Sequence, residues 1–365
     1  AIDVYWNTTK DLLMKTTIAS SSGYSYQYKN MGQTSNKGVE LQLDAIVVDA
    51  KDFGLNFNFN ISYNRGKIDK LNGSSFWQSS SWAGTAAAGI EDFLVEEGGR
   101  LGEVYGYKTD GFYTANDFTF DAEKGTYALK EGVNDCSSLI GGKVYPGSIK
   151  LKANEDGEYK KERLGNTVPT VSGGFGLNAR WKGFDFTAFF NYSLGNKIVN
   201  ATKLGSSFYS GSSKNWNIND HFTSASRYSW IDSSTGTNLL SSASIKANGE
   251  AWTINRLNEI NSNASIWNPA AATVMPLVDW AVEDGSFLRV NNITIGYTLP
   301  KLLVNKLNIQ NIRIYVTGYN LHCFTKYSGT DPEVDCCTST PMTPGIDYAA
   351  YPKSRSFVGG INVTF

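Results

Sequence analysis

The chain has 365 residues and a formal net charge of -1. Such a nearly neutral chain lacks the excess of basic residues that binds nucleic acid, so a nucleic-acid partner is excluded. No apolar run approaches the roughly 18 residues that a membrane-spanning helix requires, which excludes helical membrane proteins. Aromatic residues make up 13% of the chain and glycine contributes 36 residues, a composition that suits strands joined by tight turns.

Eight segments alternate between apolar and polar residues and are predicted to be strands. In chain order they cover residues 2 to 13, 37 to 48, 54 to 65, 171 to 181, 184 to 194, 286 to 299, 311 to 321 and 355 to 365. In the third segment Phe57, Phe59 and Ile61 alternate with Asn56, Asn58 and Asn60. A strand about 10 residues long with one apolar and one polar face has the length and period of a transmembrane β-strand. A soluble β-sandwich alternates too, with its apolar side turned inward.

The connections between these segments differ in length. Short turns are predicted at 49 to 53, 182 to 183 and 300 to 310, whereas long polar segments occupy 66 to 170, 199 to 285 and 322 to 354. Short turns on one rim and long loops on the other are typical of outer-membrane barrels. The predicted fold class is therefore all-β, an antiparallel transmembrane β-barrel wall. The first long segment is either one external loop or contains an even number of further strands, for which LGEVYGYKTDGFY is a candidate.

Tryptophans in the long polar loops are the candidate substrate contacts. They are Trp77, Trp82, Trp216, Trp230, Trp252 and Trp267. Exposed aromatic rings among Ser, Asn and Gly stack on sugar rings or peptide side chains. The alternative interpretation is that the loops pack on each other and bury these rings.

The histidines and the acidic residues of the last long loop are the candidates for catalysis or metal binding. His221 and His322 lie in no triad-like or two-histidine zinc arrangement and are predicted to be ordinary loop or rim residues. The acids of the TDPEVD segment are predicted to fix a turn rather than to act as acid and base; they are Asp331, Glu333 and Asp335. No catalytic residue is identified, so an enzyme is not expected.

Four cysteines occur in the chain, with no zinc-binding spacing: Cys136, Cys323, Cys336 and Cys337. The adjacent pair would close only a strained ring with each other. A bridge from Cys323 to one of that pair and free thiols both remain possible.

Three blocks near the end of the chain resemble the C-terminal end of SusC-like TonB-dependent transporters. They are EDGSFLRVNNITIGYTL at 283 to 299, NIRIYVTGYNLHCFTKYSGTDPEV at 311 to 334, and YPKSRSFVGGINVTF at 351 to 365. Upstream segments from TKDLL to GNTVPTVSGGFGLNARWKGFDFTAFF resemble the family in the same order, so the similarity covers nearly the whole chain. The resemblance implies a multi-pass barrel of about 22 strands in the outer membrane, plugged by an N-terminal domain. It also implies a SusD-like surface lipoprotein as lid, energy delivered through TonB, and import of oligosaccharides or peptides.

The sequence departs from the family pattern in two respects. Lys152, in LKANEDGEY, occupies the position at which the family has Asp in a calcium-loop-like segment. An ammonium group among oxygen ligands opposes Ca²⁺ binding. No metal site and no cofactor are therefore expected. The plug, the TonB-contacting segment and about half of the strands are absent from residues 1 to 365. The whole chain is therefore expected to be the C-terminal part of a longer transporter, paired with an N-terminal plug and barrel portion.

The final strand, SFVGGINVTF, resembles the signal that the barrel-insertion machinery reads. The predicted membrane-assembly residues are Phe357, Ile361, Val363 and Phe365. In a fragment of a larger barrel, this strand and the strand at 2 to 13 would each pair outside the chain, because unpaired edges are not tolerated in lipid. Hydrogen bonding between the two strands would instead indicate a passive small pore. An outer-membrane enzyme is the third possibility, and it lacks a nucleophile and base.

Overall fold

The computed structural model consists mainly of strands and describes residues 1–17, 20–24, 26–71, 75–80, 91–209, 217–304, 309–336 and 342–365. In chain order the strands are β1 (Ile2–Thr17), β2 (Tyr26–Asp49), β3 (Phe53–Lys70), β4 (Phe76–Gln78), β5 (Phe93–Val95), β6 (Glu103–Gly106), β7 (Thr109–Phe112), β8 (Phe118–Asp121), β9 (Thr126–Leu129), β10 (Ile149–Leu151), β11 (Glu162–Asn166), β12 (Val171–Trp181), β13 (Phe184–Leu194), β14 (Lys197–Asn200), β15 (Ile231–Asp232), β16 (Thr237–Asn238), β17 (Val282–Asp284), β18 (Phe287–Thr298), β19 (Asn311–Thr325), β20 (Ile346–Asp347) and β21 (Ser356–Thr364). The α-helices are α1 (Ser137–Ile140), α2 (Ala201–Gly205), α3 (Ser242–Ile260) and α4 (Lys301–Val304). Single 3-10 turns occur at Ser20–Ser22, Ala115–Asp117, Pro269–Ala271 and Asp279–Ala281. Within the described ranges, every helix is too short or too polar to cross a membrane.

Eight antiparallel strands form one large sheet, here called the wall, in the order β1-β2-β3-β12-β13-β18-β19-β21. Each strand pairs with the next wall strand along the chain, so the wall is an up-and-down arrangement. All eight predicted strands are confirmed. Strands β3 and β19 continue beyond their predicted ends, to Lys70 and Thr325. Strand β1 likewise continues to Thr17, and β2 begins at Tyr26 instead of residue 37. Both strands extend past the apolar band as a hairpin, where backbone pairing persists but water on both faces removes the alternating pattern.

The wall is an open arc. Its first and last members are β1 and β21, and no ladder joins these two strands in the described part of the chain. The predicted incomplete arc is therefore confirmed, whereas pairing of its two free edges outside the chain remains a prediction.

Strand register gives the wall two chemically distinct faces. Leu43, Phe59 and Phe175 are partners across β2, β3 and β12, so their side chains point to the same side. The ring of Phe175 stacks on Phe190 of β13 with centroids 4.6 Å apart. One residue along, Asn58 lies between Asp44 and Gly176 on the other side. The apolar face and the polar face predicted for Phe57, Phe59, Ile61 and their Asn neighbours are thus both present.

The long connections fold together into a second layer, here called the external layer, at the end of the wall opposite the short turns. Its core buries aromatic and aliphatic side chains from all three long segments, including Phe93, Tyr113, Phe118, Tyr228, Leu257 and Ile346. Strands β6 and β7, from LGEVYGYKTDGFY, belong to small sheets of this layer and not to the wall. Among the described residues, the chain between the end of β3 at Lys70 and the start of β12 at Val171 is therefore one external segment.

Candidate functional site

The polar face of the wall carries a network of side-chain hydrogen bonds between strands. The Ser62 hydroxyl donates to Glu40 Oε1 at 3.1 Å, and the Thr294 and Thr317 hydroxyls lie 2.8 Å apart. The Thr187 hydroxyl donates to Asn178 Oδ1 at 3.0 Å. Hydroxyl, amide and carboxylate groups of this kind keep a surface wetted and offer hydrogen bonds to a hydrophilic solute.

Ion pairs cross the polar face near the short turns. Arg313 donates to the Asp185 carboxylate with Nε at 2.9 Å and Nη2 at 2.5 Å. The pair reaches across Gly296 of β18, where a Cβ atom would meet both side chains. Arg180 reaches Asp49 across Gly54, where a Cβ atom would meet the arginine side chain. Each glycine leaves the space that its neighbouring ion pair occupies.

A row of aromatic residues marks the short-turn end of the apolar face. Phe53, Trp181, Phe184 and Tyr297 are register partners across four adjacent strands. The rings of Phe184 and Tyr297 have centroids 4.5 Å apart, and Trp181 is 54% exposed. Rows of aromatic residues at the edge of an apolar band are the girdles of membrane barrels.

A buried arginine fastens the last long loop to the polar face. Arg289 of β18 lies opposite Asn191 of β13, and only 4% of its surface is exposed. Its Nη2 donates to Asp331 Oδ1 at 2.5 Å, and its Nε lies 2.5 Å from Glu333 Oε2 as a charge pair. Since Asp331 is also only 3% exposed, the loop covers the guanidinium and two carboxylates balance its charge.

Residues 327–335, here called the strap, have further polar anchors. The Ser328 N–H and hydroxyl donate to the Glu283 carboxylate at 2.8 and 2.7 Å. The Tyr327 hydroxyl donates to Asp347 Oδ2 at 2.7 Å. The Glu333 N–H donates to Asp331 Oδ1 at 2.9 Å, so the predicted role of that carboxylate in fixing a turn is confirmed. The strap therefore connects the wall to two segments of the external layer.

A polar cavity of about 490 Å³ opens beside the strap. Its lining includes three buried polar residues, Asn200, Lys203 and Asp347. The Lys203 ammonium lies 3.2 Å from Glu283 and donates to the Trp280 carbonyl at 2.9 Å. Burial raises the pKa of the Asp347 carboxyl, and the nearby acids Asp331 and Glu283 raise it further. A cavity with convergent polar groups and a perturbed acid is a candidate ligand site.

The structure locates four of the six candidate tryptophans; Trp82 and Trp216 lie outside the described residues. Trp267 is 4% exposed and donates through Nε1 to the Ser207 carbonyl at 3.1 Å. Trp230 is half-buried and donates to the Pro146 carbonyl at 2.5 Å. Trp77 and Trp252 are 37% and 44% exposed. The first two thus pack within the external layer. The ring of Trp77 is partly exposed but is contacted by the Lys161 ammonium, 4.9 Å from its centroid, and the ring of Trp252 is the more exposed of the two.

Among the remaining sequence candidates, Asp335 belongs to the strap, and His221 lines the cavity beside it. His322 packs against Phe324 on β19, and Cys323 is the register partner of Arg289. Cys136 and Cys323 are free thiols, so no bridge forms at Cys323; Cys337 lies outside the described residues. In LKANEDGEY, Asn154 Oδ1 accepts the N–H groups of Asp156 and Glu158 at 3.1 and 2.8 Å, which makes this segment a side-chain-closed turn. The described residues contain no cluster of three metal-ligating side chains.

The four assembly candidates are at the free edge of the wall. Phe357, Ile361 and Val363 project from the apolar face of β21 and are 69%, 64% and 42% exposed. Phe365 follows the strand and is 81% exposed.

Sequence comparison identifies relatives of the whole chain. It is 29% identical to TonB-dependent receptor P3 of Formosa agariphila and 23% identical to TonB-dependent receptor SusC of Bacteroides thetaiotaomicron, with 100% of the chain aligned in each case. The chain is a homologue of the TonB-dependent receptors. It spans about a third of their length, 32% and 30% respectively. No family model matches it. The resemblance to the SusC-like family is confirmed.

Solved structures confirm the fold. The chain superposes over its full length on 33% of a chain in the structure of the RagAB peptide transporter, with a TM-score of 0.62 and 23% identity. The closed-closed state of the RagAB peptide importer gives a TM-score of 0.63. The chain is thus an all-β portion of an outer-membrane barrel. In such barrels the apolar face of each strand is the one that meets lipid.

The sequence patterns did not identify Arg289 or the residues that anchor the strap. A signal was present, because Arg289 is a charged residue in an otherwise apolar or amide-containing segment, FLRVNN. Its partner Asp331 is 42 residues away along the chain, however, and strand alternation carries no information about such a contact.

Proposed function

We propose that this chain is the C-terminal part of a TonB-dependent active importer, to which it contributes eight wall strands, the polar lining and part of the external mouth. The observation that carries the proposal is the open wall with one apolar and one polar face, capped on one side by a folded external layer. A polar lining allows hydrophilic solutes to pass a barrel that is apolar outside.

The proposed substrates are oligosaccharides or peptides. The RagAB relative is a peptide importer, which supports peptides, and the resemblance to SusC-like transporters implies oligosaccharides as the other solute class. The exposed rings of Trp77 and Trp252 would stack on a sugar or an aromatic side chain, and the cavity beside the strap would accept polar groups. A SusD-like surface lipoprotein would act as the lid, and no cofactor is needed.

Energy coupling is proposed to lie outside this chain. The plug that rearranges and the segment that contacts TonB would belong to an N-terminal portion, which would also pair with the free edges of β1 and β21. The passive small pore is the competing function, and it needs those two edges to pair with each other. We infer a non-enzymatic role, since the described polar clusters are ion pairs and turns that fix the fold.

Uptake by the whole receptor in its host tests this proposal. Fluorescent oligosaccharides and fluorescent peptides would be supplied separately to cells with and without TonB. We expect uptake of one class only, and loss of that uptake without TonB. Trp252→Ala should reduce it, whereas Trp181→Ala, at the lipid side of the opposite rim, should not. Uptake that persists without TonB would establish the passive pore instead.

A further inference from the structure

An apolar cleft of about 530 Å³ lies on the outward side of the wall at its external rim. Three of its lining residues, Tyr192, Leu288 and Phe324, are register partners across β13, β18 and β19. They belong to the apolar face, because Tyr192 alternates with polar Asn191 and Ser193 along β13. Phe324 remains 56% exposed. The cleft is thus a recess in the surface that faces lipid.

Its height in the membrane follows from strand geometry. Tyr192 is eight residues (192 minus 184) beyond Phe184 of the aromatic row at the short-turn end. At about 3.3 Å per residue the separation is about 26 Å along the strand, or about 20 Å along the membrane normal for a tilt of about 40°. The apolar band of such barrels is about 25 Å tall. The cleft therefore lies at the outer edge of the band, where acyl chains meet headgroups.

Positive charge borders the upper end of the cleft. Lys326 lines it, two residues beyond Phe324. Lys197 is the register partner of Asp284, which also lines the cleft. In the described ranges neither lysine forms an ion pair, and the Asp284 carboxylate accepts the Ser286 N–H at 3.0 Å. Lys197 lies near Asp284 but outside the lining, and together with the Ser286 N–H it helps to balance that carboxylate. The ammonium of Lys326 therefore remains available to an anion above the apolar recess.

We propose that this cleft is a binding site for one anionic, phosphate-bearing lipid of the outer leaflet, with an acyl chain in the recess and the phosphate at Lys326. The apolar lining continues the lipid-facing surface of the wall, so the chain enters it without leaving the membrane. An ammonium at headgroup level attracts the phosphate, and the aliphatic stem of the lysine lies over the chain. The site is separate from the proposed import route, which uses the opposite face.

Native mass spectrometry of the detergent-solubilised whole receptor tests the site. Dimyristoyl phosphatidylglycerol and dimyristoyl phosphatidylcholine, which share their acyl chains, would be titrated separately. We expect tighter binding of phosphatidylglycerol, and about fivefold weaker binding of that lipid after Lys326→Gln. Lys246→Gln, the same change on α3 in the external layer, should leave binding unchanged.

A second variant tests the acyl recess. Leu288→Trp fills the cleft and should abolish retention of either lipid, whereas Ile295→Trp, lower on the same face of β18, should not. If Leu288→Trp fails to assemble, the lysine variants still decide the proposal. The proposal would be overturned if both lipids bound equally and Lys326→Gln left their binding unchanged. It would also be overturned if the molecule retained in the cleft proved to be the acyl chain of a lipoprotein.

Discussion

Loss of one carboxylate from the strap should free the last external loop without unfolding the wall. Arg289 and Asp331 are 4% and 3% exposed, so Asp331→Asn leaves a buried guanidinium with Glu333 as its remaining counter-charge. Removing one partner from a buried ion pair lowers the stability of the folded state by about 3 to 5 kcal/mol. We expect a loss near the lower end of this range because one carboxylate remains beside Arg289. A cost of about 3 kcal/mol raises the open population of the loop by about 100-fold.

Trypsin digestion of the whole receptor in outer-membrane fragments measures this opening. Cleavage after Lys326 and Lys353, at the two ends of the loop, should accelerate by about 100-fold if closing is faster than cutting. The wall should still migrate as a heat-modifiable folded barrel. Asp121→Asn, which removes the partner of exposed Lys124, is the matched control and should have no effect.

A double substitution separates charge from packing. Arg289→Met combined with Asp331→Leu removes both buried charges together and should restore much of the resistance to trypsin. Unchanged cleavage in Asp331→Asn would refute the view that the strap holds the loop against the wall.

Three further substitutions test the wall. Phe59→Arg should destabilise the barrel by about 2 to 4 kcal/mol because it places a cation in lipid, whereas Asn58→Arg on the polar face should be tolerated; equal loss of heat-modifiable barrel would contradict the assigned faces. Gly173→Ala should cost about 1 to 3 kcal/mol in urea unfolding, since its Cβ would overlap the Asn60 carbonyl, whereas Gly359→Ala meets nothing closer than 3.9 Å; similar midpoints would argue against that contact. Phe365→Ser should lower outer-membrane abundance on immunoblots through failed assembly, and normal abundance of folded barrel would exclude the assembly role.

The wall was predictable because lipid imposes a simple rule on its strands. Each side chain between Phe53 and Tyr63 faces either hydrocarbon or water, so apolar and polar residues alternate along the sequence with a period of two. The same rule fails in the hairpin above the membrane, where Tyr28, Lys29 and Asn30 lie in β2 without an alternating pattern. The predicted start at residue 37 therefore marks where the alternating pattern begins, not where the strand begins.

The external layer was not predictable in the same way. Helix α3 carries only a weak apolar stripe and is interrupted at Gly249, whose φ of 76° is not helical. Its position depends on contacts with β8, far away in the chain, and on Ser241, which caps it by accepting the Ser244 N–H. The strap depends likewise on distant partners. Long-range packing determines this layer, and local patterns do not encode it.

The hydrogen-bond partners of the free edge of β1 test the central claim most directly. A cryo-EM structure of the protein purified from native outer membranes would show them. The account predicts that Ile2–Thr17 pairs with a polypeptide segment other than β21, within a wide plugged barrel that carries a lipoprotein over its mouth. A ladder between β1 and β21 that closes an eight-stranded barrel would contradict it.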